Sequence, residues 1–175
     1  MQTIIFILLG ISAIFLLLLI ITSFFSPYLR VEKSILISKS KEEIFPHLAS
    51  FEKFVIWSPW SKKDLNMTSD FSGKEMEIGS SYSWSGNKKV SSGKMILVEL
   101  QENEFVRHEL YFGKQAKSFA DFTIEEMDGT CKVTWGLNSV FSFPLSRLLK
   151  PMIKKYVGKD YEEGLKDLKS LLETY

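Results

Sequence analysis

No charged side chain occurs before Arg30, although the chain carries 22 basic and 21 acidic residues. The stretch from Thr3 to Phe25 is apolar almost throughout and long enough to cross a hydrocarbon core of about 30 Å as a helix. A helix apolar on every face needs either a large protein or a membrane around it, and residues 30–175 amount to one ordinary domain. Residues 1–29 are therefore expected to form a transmembrane anchor. A cleaved signal peptide would want a basic residue ahead of a shorter apolar stretch and small residues at a cleavage site. Here Met1 and Gln2 are uncharged, and Phe24, Phe25 and Tyr28 stand where the small residues would be. Pro27 should end the helix. Arg30, Lys33, Lys39 and Lys41 follow the span, and the positive-inside bias places the domain in the cytoplasm, giving a single-pass membrane protein.

The balance of charge excludes other classes. A net charge of +1 with both signs interspersed offers no basic stripe for a phosphate backbone, so nucleic acid is not an expected partner. The lone Cys131 cannot form an intrachain disulfide, and His47 and His108 have no companion cysteines at a zinc spacing. Neither a metal nor an organic cofactor is called for.

Residues 31–38 alternate as a strand, after which Ser40 and Glu43 have the spacing of a helix capping box. Pro46 then implies a kinked or divided helix across residues 41–53, and residues 55–70 read as loop. A period of two follows, punctuated by turn residues, over residues 80–85, 90–101, 104–112, 117–127 and 130–141, with an edge strand near residues 67–72. Gly86-Asn87 and Asp128-Gly129 suit tight hairpins. After Pro144 the period becomes helical, and Leu148, Met152, Tyr156, Tyr161, Leu165, Leu168 and Leu172 mark a long amphipathic helix whose main part starts near Pro151. The fold class is α+β: six or seven antiparallel strands curve around one long C-terminal helix and leave room between them.

The order of these elements carries recognisable residues: Trp57-Ser58-Pro59-Trp60 after the short helices, Trp84 followed by Gly86 and Gly93, Gly129-Thr130 with Val133 and Trp135, and Gly164-Leu165 with Leu168-Lys169. Residues 31–173 thereby resemble the SRPBCC or START-like polyketide cyclase–dehydrase superfamily, in its membrane-anchored bacterial branch. The resemblance implies a helix-grip fold in residues 30–175 and an apolar cavity between sheet and helix for a hydrophobic or amphipathic small molecule, a lipid or polyketide among them. It implies no fixed catalytic residue.

Counting strand phase gives the inward side chains. In residues 104–112 the apolar set is Val106, His108, Leu110 and Phe112, which puts an imidazole among core residues. The same counting turns Tyr82, Trp84, Ile96, Val98, Leu100, Phe122 and Trp135 inward, while Leu165 faces them from the helix. Cavity-lining candidates are Trp57, Trp60, Tyr82, Trp84, Val98, His108, Leu110, Phe122, Trp135 and Leu165. Most are explained equally well as ordinary core, and Trp57 and Trp60 as a loop packed on the sheet. His108 is the one catalytic candidate, a general base acting with Tyr82 or a neighbouring carboxylate in a cyclase, dehydratase or hydrolase; the plainer reading is a wall histidine. A third possibility is an interaction module whose side chains fill the cavity. His47 is expected at the surface, and Cys131 as a small buried hydrophobe.

Overall fold

The computed structural model describes residues 2–112, 117–141 and 145–174; the Pro144 boundary lies outside them. An N-terminal helix α1 (Gln2–Ser23) leads into strand β1 (Tyr28–Ile37), three short helices α2 (Lys41–Ala49), α3 (Phe51–Trp57) and α4 (Pro59–Lys63), and strand β2 (Thr68–Ser72). Strands β3 (Ser81–Ser85), β4 (Ser92–Gln101), β5 (Phe105–Tyr111), β6 (Ser118–Met127) and β7 (Thr130–Val140) follow. A 3₁₀ turn (Leu145–Leu149) then opens helix α5 (Lys150–Glu173). The strands form one antiparallel sheet in the order β1-β7-β6-β5-β4-β3-β2, with α5 lying along β1. This is the helix-grip arrangement expected from the order of periods.

Local chemistry accounts for most element boundaries. Ser40 and Glu43 exchange the two hydrogen bonds of a capping box at the start of α2. Pro46 stays inside α2, and the division falls instead at Ser50, whose backbone N–H closes on the Pro46 carbonyl while its hydroxyl caps α3 by accepting from Lys53 N–H. Residues 55–63, read as loop, belong largely to α3 and α4. Proline at the first position of α4 suits the start of a helix, as does Pro151 near the start of α5. The Asp128-Gly129 hairpin has both central residues at positive φ, as a tight two-residue turn requires. The turn after β3 is a six-residue loop rather than a tight one, closed by Gly86 N–H donating to the Ser91 carbonyl.

Strand β4 departs from its expected phase. Met95 and Leu97, not Ile96 and Val98, are the buried side chains, and the pairing with β5 skips one residue between Leu97 and Glu99. Val98 is the extra residue of this bulge and lies outside the buried core; beyond it Leu100 again packs on the core. The strand is apolar at Met95, Ile96, Leu97, Val98 and Leu100, so a count by twos had nothing to register against.

The core sits between the concave face of the sheet and the helices, and its centre is aromatic. Trp135 stacks on Tyr161 of α5 with centroids 3.8 Å apart, and Phe54, Trp57, Trp60 and Phe122 pack around it. Gly164 permits this contact: a Cβ there would lie 2.9 Å from both Pro59 Cδ and Trp135 Cζ3. Ion pairs from Lys63 to Asp160 (2.6 Å) and Lys62 to Asp167 (2.5 Å) join α4 to α5. Cys131 is buried, as expected of a small hydrophobe, whereas His47 is half-buried rather than on the surface.

Candidate functional site

The space left between sheet and helix is a cavity of about 260 Å³ on one side of the aromatic core. Strands β3 to β5 supply Tyr82, Trp84, Met95 and Leu110; the short helices supply Phe54 and Trp60, with Ser58 at the cap between α3 and α4; α5 supplies Tyr156, Val157 and Asp160. Met67 and Val90 close the wall between β2 and β4, and the exposed side chains of Lys89, Phe112 and Tyr156 edge the mouth. This volume falls slightly below the range of about 300–1,000 Å³ typical for drug-sized ligands, so one small apolar molecule or the end of one chain fits it.

Three local devices shape the walls. The Trp84 ring lies over Gly93, its cross-strand partner, where a Cβ would come within 2.4 Å of Trp84 Cζ2. Tyr82 is held between the rings of Phe71 (5.3 Å) and Trp84 (5.5 Å), and its hydroxyl meets Ser69 Oγ at 3.4 Å. Burial raises the Tyr82 phenol above its ordinary pKa, so it is neutral at physiological pH. The one carboxylate on the wall, Asp160, is already engaged by Lys63. An apolar surface with a few satisfied polar groups sorts ligands by shape and hydrophobicity.

Of the residues singled out from sequence, Trp60, Tyr82, Trp84 and Leu110 line this cavity. Trp57, His108, Phe122, Trp135 and Leu165 are fully buried in the core behind it, and Val98 stands apart at the β4 bulge. Outside β4 phase counting found the inward faces, but it could not tell cavity from filled core. Met95 was hidden by the bulge. Tyr156 was visible in the helical periodicity as part of the apolar stripe, but nothing in the spacing set it on an opening, and no signal marked Lys89.

His108 is wholly buried, with its ring 4.9 Å from Phe51 and 6.0 Å from Phe122. Neither ring nitrogen has a protein hydrogen-bond partner. It does not converge with Tyr82, since no hydrogen bond joins the two and Phe51 packs against both rings. Desolvation lowers the imidazole pKa to about 3. Above about pH 6.5 the imidazole is neutral in folded and unfolded chains alike, and stability is at its full value. As pH falls from there towards 3, the unfolded chain binds the proton and the folded one does not, so stability drops by up to about 1.4 kcal/mol per pH unit. The half-buried His47, lowered by desolvation and by Lys53, adds to the loss in the same direction. His108→Leu should therefore gain about 2 kcal/mol relative to the parent between pH 7 and pH 5 in urea unfolding; an unchanged difference would contradict a neutral, desolvated imidazole.

The cavity and the grip of sheet on helix set the frame for comparison. The profile of the family described as "Polyketide cyclase / dehydrase and lipid transport" matches residues 28–173. The chain belongs to this family. Among solved structures, a protein from Thermobifida fusca superimposes with a TM-score of 0.65 at 14% identity, covering 83% of this chain and 93% of its own. The Aha1 dimer from Colwellia psychrerythraea has a TM-score of 0.59 at 17% identity, covering 83% of this chain and 96% of its own. A major latex-like protein from Panax ginseng has a TM-score of 0.57 at 13% identity, with 84% of this chain and 99% of its own covered. At such identities the likeness shows the fold. No curated protein matches. Membership in the polyketide cyclase/dehydrase and lipid-transport family agrees with a domain that encloses hydrophobic ligands, and its profile begins where β1 does, at Tyr28.

Proposed function

We propose that the protein is a single-pass membrane protein whose domain, residues 30–175, holds a hydrophobic or amphipathic small molecule in the cavity between sheet and α5 without transforming it. The observation that carries this reading is the cavity itself: its walls are mainly carbon, and its carboxylate is neutralised by Lys63. Trp60, Tyr82, Trp84 and Leu110 are the ligand-contacting residues on this reading, with Met95 and Val157 added from the geometry. The catalytic alternative gains nothing from the site, because His108 does not line the cavity and has no polar partner.

Membership in a family described partly by lipid transport supports the ligand class. The anchor rests on α1, whose 22 residues rise about 33 Å and expose apolar side chains on all sides. A cytoplasmic domain follows from Arg30, Lys33, Lys39 and Lys41 just beyond the span. The detergent-solubilised chain should bind a fluorescent single-chain fatty acid saturably at one site, and an unlabelled fatty acid should compete for it. Absence of saturable binding, with the fold intact by circular dichroism, would refute the ligand reading.

A further inference from the structure

The cavity opens at the end of the sheet from which the anchor emerges. A single row of cross-strand partners runs from Leu29, next to the anchor, through Ser139, Ser118, Leu110 and Met95 to Tyr82, and the last three line the cavity. The domain is also tied closely to α1. Arg147 donates to the Thr22 and Phe25 carbonyls at 3.4 and 3.1 Å, Lys150 donates to the Ser26 carbonyl at 2.6 Å, and Phe141 N–H donates to the Pro27 carbonyl at 2.9 Å. The bonds from Arg147 and Lys150 satisfy carbonyls at and just beyond the end of a helix with cations, the favourable sign there, and only residues 24–27 lie between α1 and β1.

From this junction an apolar ridge runs along the start of α5 to the cavity mouth. Leu149, Met152 and Tyr156 recur at i, i+3 and i+7, so they share one face, and Leu148 adjoins them. They are 48%, 51%, 62% and, for Leu148, 37% exposed, although soluble surfaces seldom concentrate large apolar side chains in this way. Exposed Lys154, Lys155 and Lys159 stand beside them, the composition of an interfacial helix that meets anionic headgroups.

We propose that this ridge, Leu148, Leu149, Met152 and Tyr156, lies in the interfacial layer of the membrane that α1 crosses and sets the cavity mouth against the bilayer. The proposal rests on the anchor reading above. Its occupant is lipid because the ridge is continuous with the segment bonded to the end of α1, and a domain so bonded stays within a few side chains of the bilayer surface. Tyr156 belongs to both the ridge and the cavity wall, so an apolar molecule passing from the membrane to the cavity meets carbon along the whole route. The ligand class this favours is a membrane-dissolved amphipath.

The test places single nitroxide labels on the full chain in vesicles of phosphatidylcholine and phosphatidylglycerol, in a Cys131→Ala background. Labels at Met152→Cys and Tyr156→Cys should collide several-fold more with dissolved oxygen, relative to a water-soluble nickel chelate, than a label at Glu163→Cys on the exposed side of the same helix. Phe15→Cys in α1 is the control for the anchor. A lipid signature at Phe15 with a water signature at Met152 and Tyr156 overturns the ridge proposal alone, and so does protection of both ridge labels from both reagents, which means that protein covers them. A water signature at Phe15 overturns the anchor reading and this proposal with it.

Discussion

Trp135→Ala should cost about 3–5 kcal/mol of folding free energy, the range for emptying a large buried aromatic site. Trp135 is 1% exposed and has the densest aromatic surroundings among the described residues: Tyr161 and Phe122 stack on it, and Phe54, Trp57 and Trp60 meet it edge-on. Rings held by one strand and three helices cannot collapse together into the space, so the cavity term remains in full. The indole Nε1 has no hydrogen-bond partner, and its removal strands no polar group; the loss is therefore one of packing alone. A stability of about 5–15 kcal/mol is typical of a domain, so this single change removes a large part of it. Urea unfolding of the solubilised chain checks the value. Trp84→Ala, on the half-buried cavity wall, should cost about 1–2 kcal/mol, and equal losses for the two would contradict the division between filled core and open cavity.

Val157→Trp should abolish ligand binding while leaving the domain folded. Val157 is half-buried on α5 and lines the cavity opposite the sheet, so an indole at this position projects into empty space rather than into packed atoms. Tryptophan and valine have similar helix propensities, and α5 loses nothing by the exchange. The usual cost of overpacking, about 1–3 kcal/mol, should be largely escaped because free volume receives the added atoms. A ligand has to compete with a covalently attached ring for about 260 Å³, and a fall in affinity of at least tenfold, about 1.4 kcal/mol, is expected.

The sequence disclosed the architecture because its two periods are unambiguous where one face is polar. In strand β5 Val106, His108 and Leu110 are all buried as the alternation requires, and Glu109 on the other face is buried as well. The capping box at Ser40 and the turn at Asp128-Gly129 were legible because each depends on residues adjacent in the chain. Strand β4 misled because apolar residues on both faces around the bulge carry no phase, and α3 and α4 were missed because helices of seven and five residues are too short to show a period. Strand β1 already begins at Tyr28, which pairs with Val140, and Leu29 is buried in the core, because the run of uncharged residues continues past α1 into the first strand.

The cavity was the least legible part. Whether an inward side chain meets another side chain or open space depends on the separation of α5 from the sheet, which no local pattern encodes. Gly164 shows why: its missing Cβ lets Pro59 and Trp135 approach the helix at that point, while towards Tyr156 the walls stand apart. Long-range packing thus put four of the ten candidates on the wall and five in the core, and left Val98 at the β4 bulge. His108 fell on the core side, and its burial without a partner could be seen only once Phe51 had been placed over its ring.

Native mass spectrometry of the whole chain, released from detergent, most directly tests whether the cavity holds a hydrophobic ligand. The parent chain should carry an adduct of one small apolar molecule, identifiable after organic extraction, and Val157→Trp prepared from the same cells should lack it while unfolding at a similar urea concentration. A parent chain free of any adduct that also fails to take up an added fatty acid, or an adduct retained undiminished in Val157→Trp, would contradict the account.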